Sequence, residues 1–307
     1  MRVLVLGATG FIGLPVAQAL VRAGHVVHGL TRTAEKARQL QADEVIPIVG
    51  DYLEPAKWLT PSLVAKLDVV INVVGVEVRF KDPEADVRVI KLLVELVQQS
   101  RPIYAPKLSF IFTTGTILFG QDPTQVVNDT TAIPVENLPD FVKPFPNFEQ
   151  QILQNPVLNS IVIRPGLLYG RTGSLTAGLF AQAKEGSTIK HYGAEGGRVG
   201  TIHTDDLANL YLLAAEKAQS VGGKIFAGVN DATESVDDIL RTLVSISGAK
   251  GYEYREPTND FESALATTRI LRPYLGRTLL GWRPVKASLV DHLQIYFDAW
   301  KASQDSA

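Results

Sequence analysis

Gly7, Gly10 and Gly13 in "GATGFIG" (7–13) follow an apolar run and open a helical pattern. Glycine permits a tight turn there and lets the backbone approach a phosphate closely. The helix start adds free N–H groups and the positive end of the helix dipole. This is chemistry for a pyrophosphate. The whole loop, with Thr9, Phe11 and Ile12 between the glycines, is the candidate cradle of a dinucleotide. The second apolar run ends at "LTRT" (30–33). No acidic residue precedes Glu35, so no carboxylate is at hand for a ribose 2′-hydroxyl. Arg32 stands there instead, with Thr31, Thr33 and Lys36 beside it. A guanidinium fork suits a 2′-phosphate. NADP(H) is the expected cofactor, and NAD(H) the less favoured one.

These residues need elements to hold them. Short runs at 2–7, 25–30, 44–50, 68–75, 108–115 and 160–166 are almost wholly apolar, as strands covered on both faces must be. Helical patterns lie between them, at 11–23, 86–99 and 147–155, and Gly24 stands where a helix C-cap belongs. The alternation predicts an α/β, doubly wound fold around a parallel Rossmann sheet with right-handed crossovers. Beyond residue 166 the rhythm changes. A glycine-rich loop at 192–200 precedes a helix at 205–219 and a strand at 224–229, and Ser235 caps a further helix with Asp238 three residues on. The expected division is a dinucleotide-binding domain of 1–165 plus 200–229. A smaller C-terminal substrate lobe would comprise 166–199 plus 230–307. The tail 301–307 is expected to fray.

The composition excludes several classes. Of 307 residues, 30 are basic and 32 acidic, a net charge of -2, so no field argues for nucleic acid or an anionic membrane surface. There is no cysteine, which removes disulfides, thiolate chemistry and cysteine-ligated zinc. The five histidines are scattered, with His25 and His28 the close pair, and no metal site is expected. The apolar start breaks at Gly7 and reads as a strand, not a signal peptide. No apolar run approaches the ~20 residues of a membrane span. A cytoplasmic address is the default. The partners expected are an unidentified small-molecule substrate and a second copy of the chain in a homodimer.

Several segments in the same order resemble the extended short-chain dehydrogenase/reductase family, of the epimerase/dehydratase type. "GATGFIG" matches its first turn. "GDY" (50–52) resembles its adenine-contacting turn, which implies cofactor contacts from Asp51 and Tyr52. "NVVG" (72–75) stands where the family has a turn against the cofactor, implying Val74 and Gly75. "TTGTILFG" (113–120) resembles the segment ending the fifth strand, with Thr113 toward the cofactor. "RPGLLYG" (164–170) matches the segment beside the nicotinamide, implying Pro165 and Gly166. "IHTDDLA" (202–208) and "LGWRP" (280–284) complete the series. The resemblance implies a Rossmann domain and a substrate lobe with the pocket in the cleft between them. His203, Asp205 and Asp206 read as structural, since aspartates at a helix start are usually caps or dipole partners.

The resemblance also implies a Tyr-x-x-x-Lys pair on one helix face, where the ammonium lowers the phenol pKa, and a Ser or Thr near the end of the fifth strand. Here "FVKPF" (141–145) stands instead. With Glu149 as the register mark, Phe141 takes the tyrosine position and Phe145 the lysine position. Gly115 takes the hydroxyl position, flanked by Thr114 and Thr116. Pro144 and Pro146 predict a late helix start. Thr114, Lys143 and Tyr169 are the remaining candidates for moving a proton. Three readings stay open: an oxidoreductase with non-standard catalytic residues, a catalytically silent NADP(H)-binding regulator or scaffold, and a nucleotide-sugar epimerase/dehydratase.

Overall fold

The computed structural model, which describes residues 1–173 and 175–304, turns the apolar runs into strands. The first part of the chain forms β1 (Arg2–Leu6), α1 (Gly13–Arg22), β2 (Val26–Thr31), α2 (Ala34–Ala42), β3 (Ile46–Val49), α3 (Pro61–Val64), β4 (Val69–Asn72), α4 (Val76–Lys81), α5 (Ala85–Ser100) and β5 (Ser109–Thr113). The middle forms β6 (Asp122–Val127), α6 (Phe145–Leu153), β7 (Asn159–Pro165), β8 (Leu167–Tyr169), α7 (Thr176–Gln182), β9 (Thr188–Tyr192), β10 (Arg198–Val199) and β11 (Thr201–His203). Then follow α8 (Thr204–Glu216), α9 (Ala218–Val221), β12 (Ile225–Gly228), β13 (Glu234–Ser235), α10 (Val236–Ser247), β14 (Gly251–Arg255), α11 (Asp260–Ala266), β15 (Arg269–Leu271) and α12 (Leu293–Gln304).

The main sheet has seven strands in the order β12-β7-β5-β4-β1-β2-β3. The pairs β1/β2, β1/β4, β2/β3, β4/β5 and β5/β7 are all parallel. Parallel neighbours need crossover helices, and these cover both faces of the sheet. β4 and β5 are accordingly buried along their whole length. β3 departs from that expectation. Its run of 44–50 shortens to Ile46–Val49, and Ile46 and Val49 are 47% and 58% exposed. The cause is position: β3 is the edge of the sheet, so its side chains lack a covering neighbour.

Local signals held where they were short-range. Gly24 adopts φ +82° after α1 and donates its N–H to the Val21 carbonyl at 2.9 Å. The Ser235 hydroxyl accepts from the Asp238 N–H at 3.3 Å as the cap of α10. α6 begins only at Phe145, after a tight turn at Asp140–Val142. Proline is tolerated in a first helical turn, so Pro146 is accommodated there. α12 runs to Gln304, and the rest of the expected fraying tail lies outside the described residues.

The chain forms two compact units. One comprises Met1–Thr113, Gln150–Ile163 and Ala208–Lys224; the other comprises Thr114–Glu149, Arg164–Leu207 and Ile225–Ala307. This division differs from the sequence-based boundaries of 1–165 plus 200–229 and 166–199 plus 230–307, chiefly over 114–149. The reason is strand pairing. On leaving β5 the chain forms β6, which pairs in parallel with β15. β11 likewise pairs with β8, which draws residues 201–203 into the second unit.

Candidate functional site

In the first unit, the glycine turn between β1 and α1 has the shape a pyrophosphate needs. Gly7 has φ +86°, and a Cβ there would lie 3.0 Å from the Val73 carbonyl oxygen. A Cβ on Gly13 would lie 2.0 Å from the Gly7 carbonyl oxygen, so only glycine lets α1 start so close to the turn. Gly10 is exposed, and Thr9, Phe11 and Ile12 are half-buried around it. No side chain caps α1, and its first turn holds no acid. The amino end of the helix therefore keeps its positive potential for a ligand. These residues fit a dinucleotide phosphate.

The far end of the candidate cradle lies where β2 and β3 end. The Gly50 N–H donates to the Thr31 carbonyl at 2.8 Å, which sets Arg32 and Asp51 at the same edge of the sheet. Arg32 is exposed just beyond β2. The Thr33 hydroxyl accepts from the Lys36 N–H at 3.2 Å and caps α2. The Asp51 carboxylate accepts from the Leu53 N–H at 2.9 Å, and its carbonyl accepts from Trp58 Nε1 at 2.7 Å. The side chain of Tyr52, by contrast, turns inward. Its hydroxyl donates to the buried Asp86 and accepts from Asn72 Nδ2 at 2.7 Å. Burial, followed by the Asp86 charge, holds its pKa well above the ordinary tyrosine value. Arg79 Nε binds the other Asp86 oxygen at 2.7 Å, and Asn72 Oδ1 accepts the Val74 N–H at 3.1 Å. Tyr52 thus belongs to the network that braces the turn at Val74 and Gly75; its phenol is not an open cofactor contact. Thr113 is similarly engaged, with its hydroxyl 2.6 Å from that of the buried Tyr211.

In the second unit, the residues after β5 meet those that end β7. Thr114 Oγ1 donates to Glu149 Oε1 at 2.5 Å. Arg164 Nε donates to the same oxygen at 3.1 Å, and Arg164 Nη2 donates to Glu149 Oε2. Both charged groups are fully buried. The Arg164 guanidinium also lies 4.9 Å from the centre of the Phe119 ring. Sequence reasoning used Glu149 only to align a register and missed this anchor. The available signal was Arg164, a charged residue at the end of the apolar stretch "IVIRP". Such residues are rarely fully buried without a partner.

The other proposed proton carriers are engaged elsewhere. Lys143 Nζ lies 2.6 Å from Asp140 in a half-exposed pair on the turn before α6. Phe141 and Phe145 pack against Leu118, Leu138 and Val142. Tyr169 is fully buried: its hydroxyl donates to the Ala287 carbonyl at 2.7 Å and accepts from Asn230 Nδ2 at 3.0 Å. Burial raises its pKa far beyond the ordinary tyrosine value. This geometry does not fit the expected relocated acid, because β8 turns the ring inward against His203 and Tyr296. Tyr169→Phe is therefore expected to cost about 1 kcal/mol of stability and leave turnover within about twofold of wild type. Urea unfolding and initial rates check both.

Pro165 is buried, and a Cβ on Gly166 would lie 2.3 Å from the Gly200 carbonyl oxygen. Gly166 is held by a close backbone approach. His203 Nδ1 accepts the Asp205 N–H at 3.1 Å. The Asp206 carboxylate accepts the N–H groups of Val285 and Lys286, and its carbonyl accepts Trp282 Nε1. Asp206 thus anchors Trp282 of "LGWRP" and the residues just after it, while Asp205 pairs with Arg171, so these side chains have structural partners. Among the described residues no group of acids and histidines could hold a metal, and no helix is long and apolar enough to cross a membrane.

A mostly parallel sheet with a glycine turn feeding an uncapped helix defines a dinucleotide-binding α/β protein. Residues 3–227 match the NAD dependent epimerase/dehydratase family, and the chain belongs to it. A 3-diazoavenalumate denitrifying reductase of Streptomyces sp is 30% identical over 330 aligned residues, spanning 95% of this chain and 99% of the relative. A 4-hydroxy-2-methyl-3-oxo-4-farnesyl-3,4-dihydroquinoline-1-oxide ketoreductase of Stigmatella aurantiaca is 26% identical, over 92% of this chain and 81% of that protein. A UDP-glucuronic acid 4-epimerase from Bacillus cereus, solved with UDP-glucuronic acid and NAD, has the same fold. Its TM-score is 0.75 at 21% identity, over 99% of this chain and 100% of that one.

Proposed function

We propose that this protein is an NADP(H)-dependent reductase of a small carbonyl compound. The observation that carries the reading is the open glycine turn and uncapped α1, joined to a second unit that lacks the tyrosine–lysine pair. The relatives named as reductases support the direction of the chemistry. When bound, the nicotinamide supplies a hydride. The chain's residues do the rest. The N–H groups at the start of α1 hold the pyrophosphate, and Arg32 pairs with the 2′-phosphate. Thr114, fixed by Glu149, offers its oxygen lone pairs and orients a partner without giving up its own proton. The proton added to the product oxygen comes from water.

Arg32→Ala is expected to weaken NADPH binding by roughly 1.5–3 kcal/mol, the size of a hydrogen bond to a charged group, and to leave NADH binding unchanged. Calorimetric titration of both cofactors tests the cofactor assignment; equal losses for both would remove Arg32 from the 2′-phosphate. Turnover is tested by NADPH consumption over a panel of small ketones.

A second reading has one specific observation in its favour. The hydroxyls of Tyr169, Thr113 and Thr114 and the ammonium of Lys143 each have a protein partner. A cofactor-binding regulator without turnover would have the same geometry. Tight NADPH binding with no consumption on any ketone favours it.

A further inference from the structure

Tyr52, Asn72, Arg79 and Asp86 of the first unit are each over nine-tenths buried, and together they form one polar network. Asn72 ends β4 and Tyr52 lies just past β3, while Arg79 and Asp86 come from α4 and α5. Asn72 Nδ2 donates to the Tyr52 hydroxyl at 2.7 Å and to Asp86 Oδ1 at 3.0 Å. The Tyr52 hydroxyl donates to that same oxygen, and Arg79 Nε holds the other at 2.7 Å. A carboxylate only accepts, so the Asn72 amide must turn its N–H groups toward Asp86. Its Oδ1 is thereby left facing the Val74 N–H, 3.1 Å away.

The network joins two turns at the carboxyl edge of the parallel sheet, the edge where dinucleotides bind in such folds. One turn follows β3. It carries Asp51 and lies beside the end of β2, where Arg32 stands. The other turn follows β4 at 73–75 and lies against the glycine turn. A Cβ on Gly7 would stand 3.0 Å from the Val73 carbonyl oxygen and 3.2 Å from the Val74 nitrogen. On the NADP(H) reading, the first turn meets the adenosine half of the cofactor and the second lies beside the pyrophosphate. The connection between them is made by the phenol oxygen of Tyr52, not by its ring.

We propose that Tyr52 is a positioning residue for the dinucleotide: its hydroxyl ties the turn that meets the adenosine half to the turn beside the pyrophosphate, so that one preorganised surface grips the whole cofactor. The proposal rests on the NADP(H) reading and deepens it. The phenol does not touch the cofactor. It acts through Asn72 on the Val74 N–H, and so on the separation of the two turns. A complete dinucleotide spans both turns and gains from a fixed separation, because less ordering is left to be done on binding. A half cofactor that reaches only the first turn gains nothing from the tie.

Calorimetric titration of wild type, Tyr52→Phe and Asn72→Ala with NADPH, NADH and adenosine 2′,5′-bisphosphate tests this, alongside thermal unfolding. The bisphosphate carries the adenosine half with its 2′-phosphate and lacks the nicotinamide half. Tyr52→Phe removes one oxygen and keeps the buried ring; Asn72→Ala cuts the same tie at its other end. Both variants are expected to lose roughly threefold to tenfold in affinity for NADPH and, equally, for NADH, while their affinity for the bisphosphate stays at the wild-type value. A strut that served only the fold would lower Tm and leave the ratio of NADPH to bisphosphate affinity unchanged. The proposal is overturned if that ratio is unchanged in both variants, if the bisphosphate weakens as much as NADPH, or if neither variant folds. Wild-type binding of NADPH without any binding of the bisphosphate also overturns it, since the adenosine half would then not be held at the first turn. Wild type that binds none of the three sinks the cofactor reading and the proposal together, whereas tight wild-type binding with an unchanged ratio in the variants sinks the proposal alone.

Discussion

Arg164→Met is expected to destabilise the fold by about 3–5 kcal/mol, the usual cost of leaving one member of a buried ion pair alone. Glu149 would remain fully buried, with only the Thr114 hydroxyl among the described residues to meet its charge. Glu149→Leu should cost a similar amount, since it strands the guanidinium above Phe119. The double variant should recover most of either loss, because two apolar side chains of similar volume satisfy the same space without a desolvated charge. Chemical unfolding of the four proteins gives the coupling energy. Additive single losses would mean that the two groups do not act as a pair.

This anchor marks the limit of what the chain could tell by itself. The β1–turn–α1 segment was legible because every residue that shapes it lies within one turn of sequence: Gly7 for its positive φ, Gly13 for its contact with the Gly7 carbonyl. The caps at Thr33 and Ser235 are of the same short-range kind. Glu149 and Arg164 were not legible, because they stand on different elements and only the fold pairs them. The inward turn of Tyr52, which follows β3, and of Tyr169, on β8, was hidden for the same reason: their hydrogen-bond partners, Asp86 and Ala287, lie far along the chain. The segment 114–149 groups with the second unit, unlike the division read from the sequence, because its strand β6 pairs with β15, far along the chain.

The second large effect concerns the turn itself. Gly10→Ala is expected to fold normally, since its Cβ meets only the Gly7 carbonyl oxygen at 3.2 Å and the position is exposed. Its methyl group would occupy the space that a pyrophosphate needs, and NADPH affinity should fall by at least about tenfold, or ~1.4 kcal/mol. Gly13→Ala is different in kind. A methyl group 2.0 Å from a backbone oxygen forces the turn and the helix apart, which costs about 1–3 kcal/mol or more of stability as well as the binding. Thermal unfolding with and without NADPH separates the two. Unchanged affinity in Gly10→Ala would mean that the cofactor does not approach this turn.

The most direct test of the central claim is to follow the hydride. NADPH carrying deuterium at the transferable position of the nicotinamide is incubated with the protein and a panel of small ketones and oxo acids, and the products are weighed by mass spectrometry. Deuterium on the carbinol carbon of a product, lost in Gly10→Ala, is the expected result. Tight NADPH binding with no deuterium in any product, or robust epimerisation of a sugar nucleotide instead, would contradict it.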